Sequence, residues 1–195
     1  MKKTKKKPAQ NGNRREDLLR VCARLFREKG FDGTSIRDIS RAAEMHSGSP
    51  FYHFRSKQEM LVAVMEQGLS EGLRHLEAVA AMRLPPVERF KRLVRTHLET
   101  LCGDGHDFIP VMLYDWRSLT PANRRRVIAL KDRYDALWQK MTDELQAEGV
   151  MPGDAQLARL FTFGVLNWTA RWYRGGGRRS LDEIATEAAS FLLRR

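Results

Sequence analysis

Apolar residues recur three and four positions apart along most of the chain, the period that places them on one face of an α-helix. Leu18, Leu19, Cys22, Leu25 and Phe26 form such a stripe over 14–29, and Gly30 follows as a C-terminal stop. Ile36, Ile39, Ala42 and Ala43 form a shorter one, opened by the capping pair Ser35 and Asp38. A compact segment then ends in Phe51-Tyr52-His53-Phe54. Ser56 and Glu59 cap a long helix whose positions Met60, Leu61, Val64, Met65, Leu69, Leu73 and Leu76 keep the period to about Ala80. Beyond Pro85-Pro86, further stripes predict helices over about 87–102, 107–117, 121–148, 155–174 and 180–194. Gly103-Asp104-Gly105, Thr120-Pro121, Gly149 and Gly175-Gly176-Gly177 punctuate them. No segment alternates as a half-buried strand does, and no repeat is visible. The expectation is an all-α fold of about nine helices.

Two short helices at 34–54 joined by a tight turn, with one helix before them, make a helix-turn-helix pattern. The long helix after Ser56 is expected to be the sole link from this head to the rest. Gly68 and Gly72 within it are weak helix formers, so close packing by a neighbour or a bend explains them. The segment at 155–174 is apolar on more than one face, through Leu157, Leu160, Phe161, Phe163, Val165, Leu166, Trp168 and Trp172. Such a helix needs cover on two sides. A second chain is one source of it, and Ala185, Ala188 and Ala189 on the final helix would let helices approach closely.

Charge changes the picture at one end. Of a formal net charge of +11, residues 1–60 carry 15 Lys/Arg against 7 Asp/Glu. The positive field therefore coincides with the helix-turn-helix, where phosphate contact would use it. Residues 1–12 are a lysine-rich tail with nothing to bury, expected to be disordered. Such a tail either follows a DNA groove or only solubilises the chain. Cys22 and Cys102, the only cysteines, fall on apolar stripes and read as small packing residues. There is no zinc-ligand spacing, no Gly-x-Ser-x-Gly, no phosphate loop and no dinucleotide fingerprint, so the reading is not an enzyme and needs no cofactor. No apolar run reaches membrane-spanning length, and a cytoplasmic location is expected.

Gly30-Phe31, Thr34-Ser35-Ile36-Arg37-Asp38-Ile39-Ser40, Ala43, Gly48, Phe51-Tyr52-His53-Phe54 and Ser56-Lys57 together resemble the DNA-binding domain of TetR/AcrR-family transcriptional regulators, over about residues 14–65. The resemblance implies a head at 13–58 and a ligand-binding and dimerisation domain at 59–195. It implies a homodimer through the helices at about 155–174 and 180–194, and a repressor of a double-stranded operator released by a small effector. A sequence-indifferent architectural DNA-binding protein is the alternative.

Candidate DNA contacts follow. Thr34 and Ser35 sit at a helix N-terminus suited to phosphate, and Tyr52, His53 and Lys57 match positions that grip the backbone in the family. Arg37, His46, Ser47 and Ser49 are candidates for base edges or nearby phosphates, whereas Phe51 and Phe54 are expected to anchor in the core. The turn departs from the family's usual Ala-Gly-Val-Ser, reading Ala43-Glu44-Met45-His46. Pro50 lacks an amide hydrogen, so it is tolerated only where that hydrogen would be free anyway. A short recognition helix starting at Ser47 or later is the consequence.

For the effector, His97, Met112, Tyr114, Trp116, Trp138, Phe161, Trp168 and Trp172 are candidate cavity residues. Leu166-Asn167-Trp168-Thr169-Ala170-Arg171-Trp172-Tyr173-Arg174-Gly175-Gly176-Gly177 resembles a segment of regulators of fatty-acid, aromatic-acid or sterol breakdown, many of which respond to acyl-CoA thioesters. Here a third glycine replaces their proline. In that reading Trp168 and Trp172 wall an acyl slot, and Arg171, Arg174, Arg178 and Arg179 meet phosphates.

Overall fold

The computed structural model describes residues 11–46, 48–103 and 107–193. The basic tail up to residue 10, Ser47 and the loop at 104–106 lie outside them. Eight α-helices and two 3₁₀ turns make up the described fold, with no strand. They are α1 (Asn11–Lys29), α2 (Ile36–Ala42), α3 (Lys57–Ala80), α4 (Pro86–Cys102), α5 (Phe108–Asp115), α6 (Pro121–Ala147), α7 (Ala155–Trp172) and α8 (Leu181–Leu192). The 3₁₀ turns are Ser49–Tyr52 and Trp116–Ser118. The expected ninth helix is the first of these turns. Pro50 and the residues flanking it make a single tight turn where a longer helix would need the missing amide.

Most helix starts follow the capping chemistry of the sequence. Ser35 and Ser180 each accept from the amide three residues on, and Asp38 and Glu183 reach back to the cap amides. Thr120 caps Pro121 at the first position of α6. At Ser56 only half the expected box forms: its hydroxyl accepts from Glu59, whose carboxylate takes the Arg55 amide instead. α1 starts at Asn11, three residues before its expected start and inside the segment expected to be tail.

α3 is the spine: it packs against α6, α5, α4 and α1, burying Met60, Leu61, Val64, Met65, Leu69, Leu73 and Leu76. It is not the sole link to the head. α1 also packs directly on α5, and Arg27 pairs with Asp107 at 2.6 Å. Gly68 explains how α5 fits. A Cβ there would lie 2.7 Å from the Phe108 Cβ and 3.0 Å from the Phe108 carbonyl carbon, so α5 approaches the α3 backbone through the missing side chain.

Close packing, not a bend, therefore accounts for this glycine. Gly68→Ala gains about 1 kcal/mol of helix propensity but overpacks a backbone contact, at a cost of about 1–3 kcal/mol. The net expectation is a lower midpoint in urea unfolding; an unchanged or higher one would mean that α5 moves freely.

α4 and α7 complete the bundle with α6, and α8 lies on α4. That placement corrects one expectation. Ala185 and Ala189 are buried within this chain, so of the three small residues only Ala188 lines the outer groove between α7 and α8. No helix among the described residues is long and apolar enough to cross a membrane.

Candidate nucleic-acid interface and effector cavities

The head is built around Phe26, Phe31, Ile39 and Phe54, all buried. α2 ends in a left-handed residue: Glu44 has φ 52°. Its amide donates to the Arg41 carbonyl and that of Met45 to the Ser40 carbonyl, the paired bonds of a Schellman turn. The position favours glycine, because a Cβ crowds the following carbonyl oxygen. Glu44→Gly is expected to raise thermal stability by up to about 1 kcal/mol, read as an upward Tm shift. A fall would mean that Glu44 makes compensating contacts.

Several candidate contacts lie on the outer face. Ser35 and Arg37 are exposed, as is His46, and Tyr52 is 89% exposed. Ser49 and His53 are half-buried beside them. Three residues differ from expectation. Thr34 is 1% exposed, and its hydroxyl donates into the head, at 2.8 Å to the Gly30 carbonyl and 3.2 Å to that of Leu25. Lys57 is turned inward too: its Nζ donates at 2.7 Å to the carbonyls of Phe31 and Thr34 and lies 4.0 Å from the Phe31 ring centre. Thr34 ties the loop to the end of α1, and Lys57 ties it to α3. Phe51 does the reverse: it is 49% exposed while Phe54 is buried, because the 3₁₀ turn rotates Phe51 away from the core.

The C-terminal bundle carries an apolar cavity of about 370 Å³, lined by residues that include His97, Ile109, Met112, Trp116, Phe163 and Asn167. His97 is its polar floor. One ring nitrogen meets the Tyr134 hydroxyl at 2.8 Å and the other the Asn167 Oδ1 at 2.9 Å. The ring stacks on Phe163 and meets Trp138 edge-on. Burial pushes its pKa down to about 4, against the hydrogen bond that the ring donates to Asn167, which raises it, so the ring is neutral. Burial likewise raises the Tyr134 hydroxyl far above its ordinary value. At the mouth, Lys131 and Arg159 share the carboxylate of Asp135.

A second, polar cavity of about 580 Å³ lies at the seam between head and bundle. Arg27 and Gly30 of the head face Cys102, Tyr114, Arg171 and Arg174 across it. The effector candidates are thus distributed. His97, Met112 and Trp116 line the apolar cavity; Tyr114, Arg171 and Arg174 line the seam. Trp138 is a core residue, wholly buried. Phe161, Trp168 and Trp172 line neither cavity: they project outward from α7 at helical spacing, exposed. Trp168 and Trp172 border the groove with α8. Cys22 and Cys102 are free thiols whose pKa values burial pushes up to about 12 and about 11.

The periodicity of the chain does not single out Asp115. It is 8% exposed, and one carboxylate oxygen accepts the Phe31 amide at 3.1 Å. Its other oxygen is buried without a partner among the described residues. Desolvation raises its pKa, opposed by that hydrogen bond and by Lys57. An acidic residue between Tyr114 and Trp116, at the end of an apolar segment, was the available signal.

Residues 83–195 match the family model described as tetracyclin repressor-like, C-terminal domain, and residues 18–64 match that of bacterial regulatory proteins, tetR family. The chain is 28% identical over 183 residues to the HTH-type transcriptional repressor KstR2 of Rhodococcus jostii (strain RHA1), spanning 92% of this chain and 89% of that protein. Among solved structures, superantigen PfiT is 36% identical with a TM-score of 0.76, over 95% of this chain and 98% of that one. AibR in complex with isovaleryl coenzyme A and operator DNA has a TM-score of 0.85 over 92% of this chain and 97% of that one; at 24% identity this is a likeness of fold.

Proposed function

Because the chain belongs to the TetR family of bacterial regulatory proteins, we propose that it is a homodimeric operator-binding repressor released when an acyl-CoA thioester enters the bundle. The observation that carries this reading is the pairing of an exposed, basic helix-turn-helix with an apolar cavity whose floor is a neutral, hydrogen-bonded histidine. An apolar slot with a few placed polar groups suits an acyl chain with one carbonyl. Similarity to a protein named as a repressor, and in fold to one solved with isovaleryl coenzyme A and operator DNA, supports the same reading.

In this proposal Ser35, Tyr52 and His53 meet phosphates, while Arg37, His46, Ser47 and Ser49 face the bases or their flanking phosphates. Thr34 and Lys57 hold the head together from inside. The exposed apolar faces of α7 and α8 pair two chains, which sets two heads to read a palindrome. Footprinting of the region upstream of the protein's own gene, with excess bulk DNA, tests the reading. Protection of one palindrome that short- or medium-chain acyl-CoA esters abolish is expected. Equal competition by bulk DNA would instead identify a sequence-indifferent binder.

A further inference from the structure

Three helices bring one polar side chain each to the floor of the apolar cavity: His97 from α4, Tyr134 from α6 and Asn167 from α7. They are bonded in a row, Tyr134 to one ring nitrogen of His97 and Asn167 to the other. The direction of that row decides what the cavity can offer a ligand.

Tyr134 is 7% exposed and His97 3%, so neither can turn to bulk water for a partner. The Tyr134 hydroxyl has no acceptor among the described residues other than Nδ1 of His97, so its hydrogen goes there. Burial holds the ring neutral, and a neutral imidazole carries one hydrogen. With Nδ1 accepting, that hydrogen sits on Nε2 and is donated to the Asn167 Oδ1 at 2.9 Å. An Asn167 side chain turned the other way would push the ring hydrogen onto Nδ1. The Tyr134 hydrogen would then be buried without an acceptor, at the full cost of its desolvation. The row therefore uses its acceptors inside the core and ends on a donor. The hydrogens on the Asn167 Nδ2 go to no group among the described residues, and that nitrogen is not sealed in the core. At the mouth, the Asp135 carboxylate is already taken by Lys131 and Arg159.

We infer that the Asn167 amide is the specificity-determining group of the cavity, donating to a carbonyl oxygen of the ligand and selecting carbonyl compounds over alcohols and alkyl chains of the same shape. His97 and Tyr134 are positioning residues, which fix the direction in which that amide points. A carbonyl oxygen takes the amide hydrogen and brings no donor of its own. A hydroxyl takes the same bond but carries a hydrogen for which the floor has no free acceptor, which disfavours it by about 10-fold. An alkyl chain leaves Nδ2 unpaired. The inference rests on the thioester reading for what surrounds the carbonyl, though not for the donor itself.

Titrations of the full chain with two matched pairs test this. Hexanoyl-CoA is set against S-hexyl-CoA, which lacks only the carbonyl oxygen, and 2-octanone against 2-octanol, which carry no CoA. Wild type is expected to bind the carbonyl member of each pair about 10-fold or more tightly. Asn167→Asp keeps the shape but replaces the donor by an acceptor, so the octanone–octanol order should reverse. Nitrogen-15 NMR of the ligand-free protein, a readout independent of any ligand, should find the His97 hydrogen on Nε2. Equal affinity within a pair that binds, an Asn167→Asp variant that keeps the wild-type order, or the hydrogen on Nδ1 overturns the inference. Failure of all four compounds to bind overturns it as well. A ketone preference with no binding of either CoA compound upholds the donor and removes the thioester reading alone.

Discussion

Replacing Trp168 and Phe191 by glutamate is expected to convert the protein to a monomer and to lower its operator affinity by about 10²–10⁴-fold. Phe191 is 80% exposed, Phe161 66%, Trp168 65% and Trp172 51%. These side chains share the outward side of α7 and α8, where Gly164 and Ala188 leave a groove between them. A contiguous aromatic surface of this kind marks an interface. In a two-fold pair each side chain meets its own symmetry mate's surface, so one substitution places charge on both sides. Loss of pairing makes each head bind alone, without the effective concentration that the partner head supplies. Both residues are exposed in the single chain, so stability of the monomer should change by less than about 0.5 kcal/mol. Light scattering after size exclusion and a DNA-binding titration check the two halves of the result. A double variant that still elutes as a dimer would place the interface elsewhere.

Acid is expected to weaken the fold through His97. In the folded chain its pKa lies near 4, below the ordinary value of 6.5, because the charged ring would be buried. Between those values the unfolded chain takes up a proton that the folded chain refuses. Stability therefore falls as pH drops from about 6.5 towards about 4, and this contribution is constant above that window. For a shift of this size the loss between pH 7 and pH 5 is about 2 kcal/mol. Asp115 works in the opposite direction. Its raised pKa means that the folded chain binds the proton more readily, so acid relieves part of its burial cost. Denaturant unfolding at pH 7 and pH 5 separates the two, with His97→Gln as the comparison. The variant should show a shallower loss than wild type; equal losses would mean that His97 is not held neutral in the core.

Much of this architecture was legible because local chemistry and tertiary packing agree. Pro50 announced a curtailed recognition segment, since a missing amide is a local fact. Thr120-Pro121 and the Ser180–Glu183 box marked helix starts for the same reason. Direction was harder to read. Thr34, at a helix N-terminus, and Lys57, at a family position, look outward on paper, yet carbonyls following α1 draw both inward. α7 reads as apolar nearly all round, and its sequence does not say which aromatics turn to the cavity and which away from it. Only the positions of α4 and α6 separate Phe163 from Phe161 and Trp168. The seam escaped entirely, because Arg27 and Asp107 are 80 residues apart, and no period connects them.

The bond between Asp115 and the head ends on a main-chain amide, not on a side chain. Every residue except proline offers that donor, so the contact is blind to what occupies position 31. Divergence can thus alter which operator the head recognises while the attachment to the sensing half persists unchanged. Hybrid regulators assembled from heads of different specificity would keep this attachment without redesign, provided position 31 is not proline and the glycine before it still turns the chain.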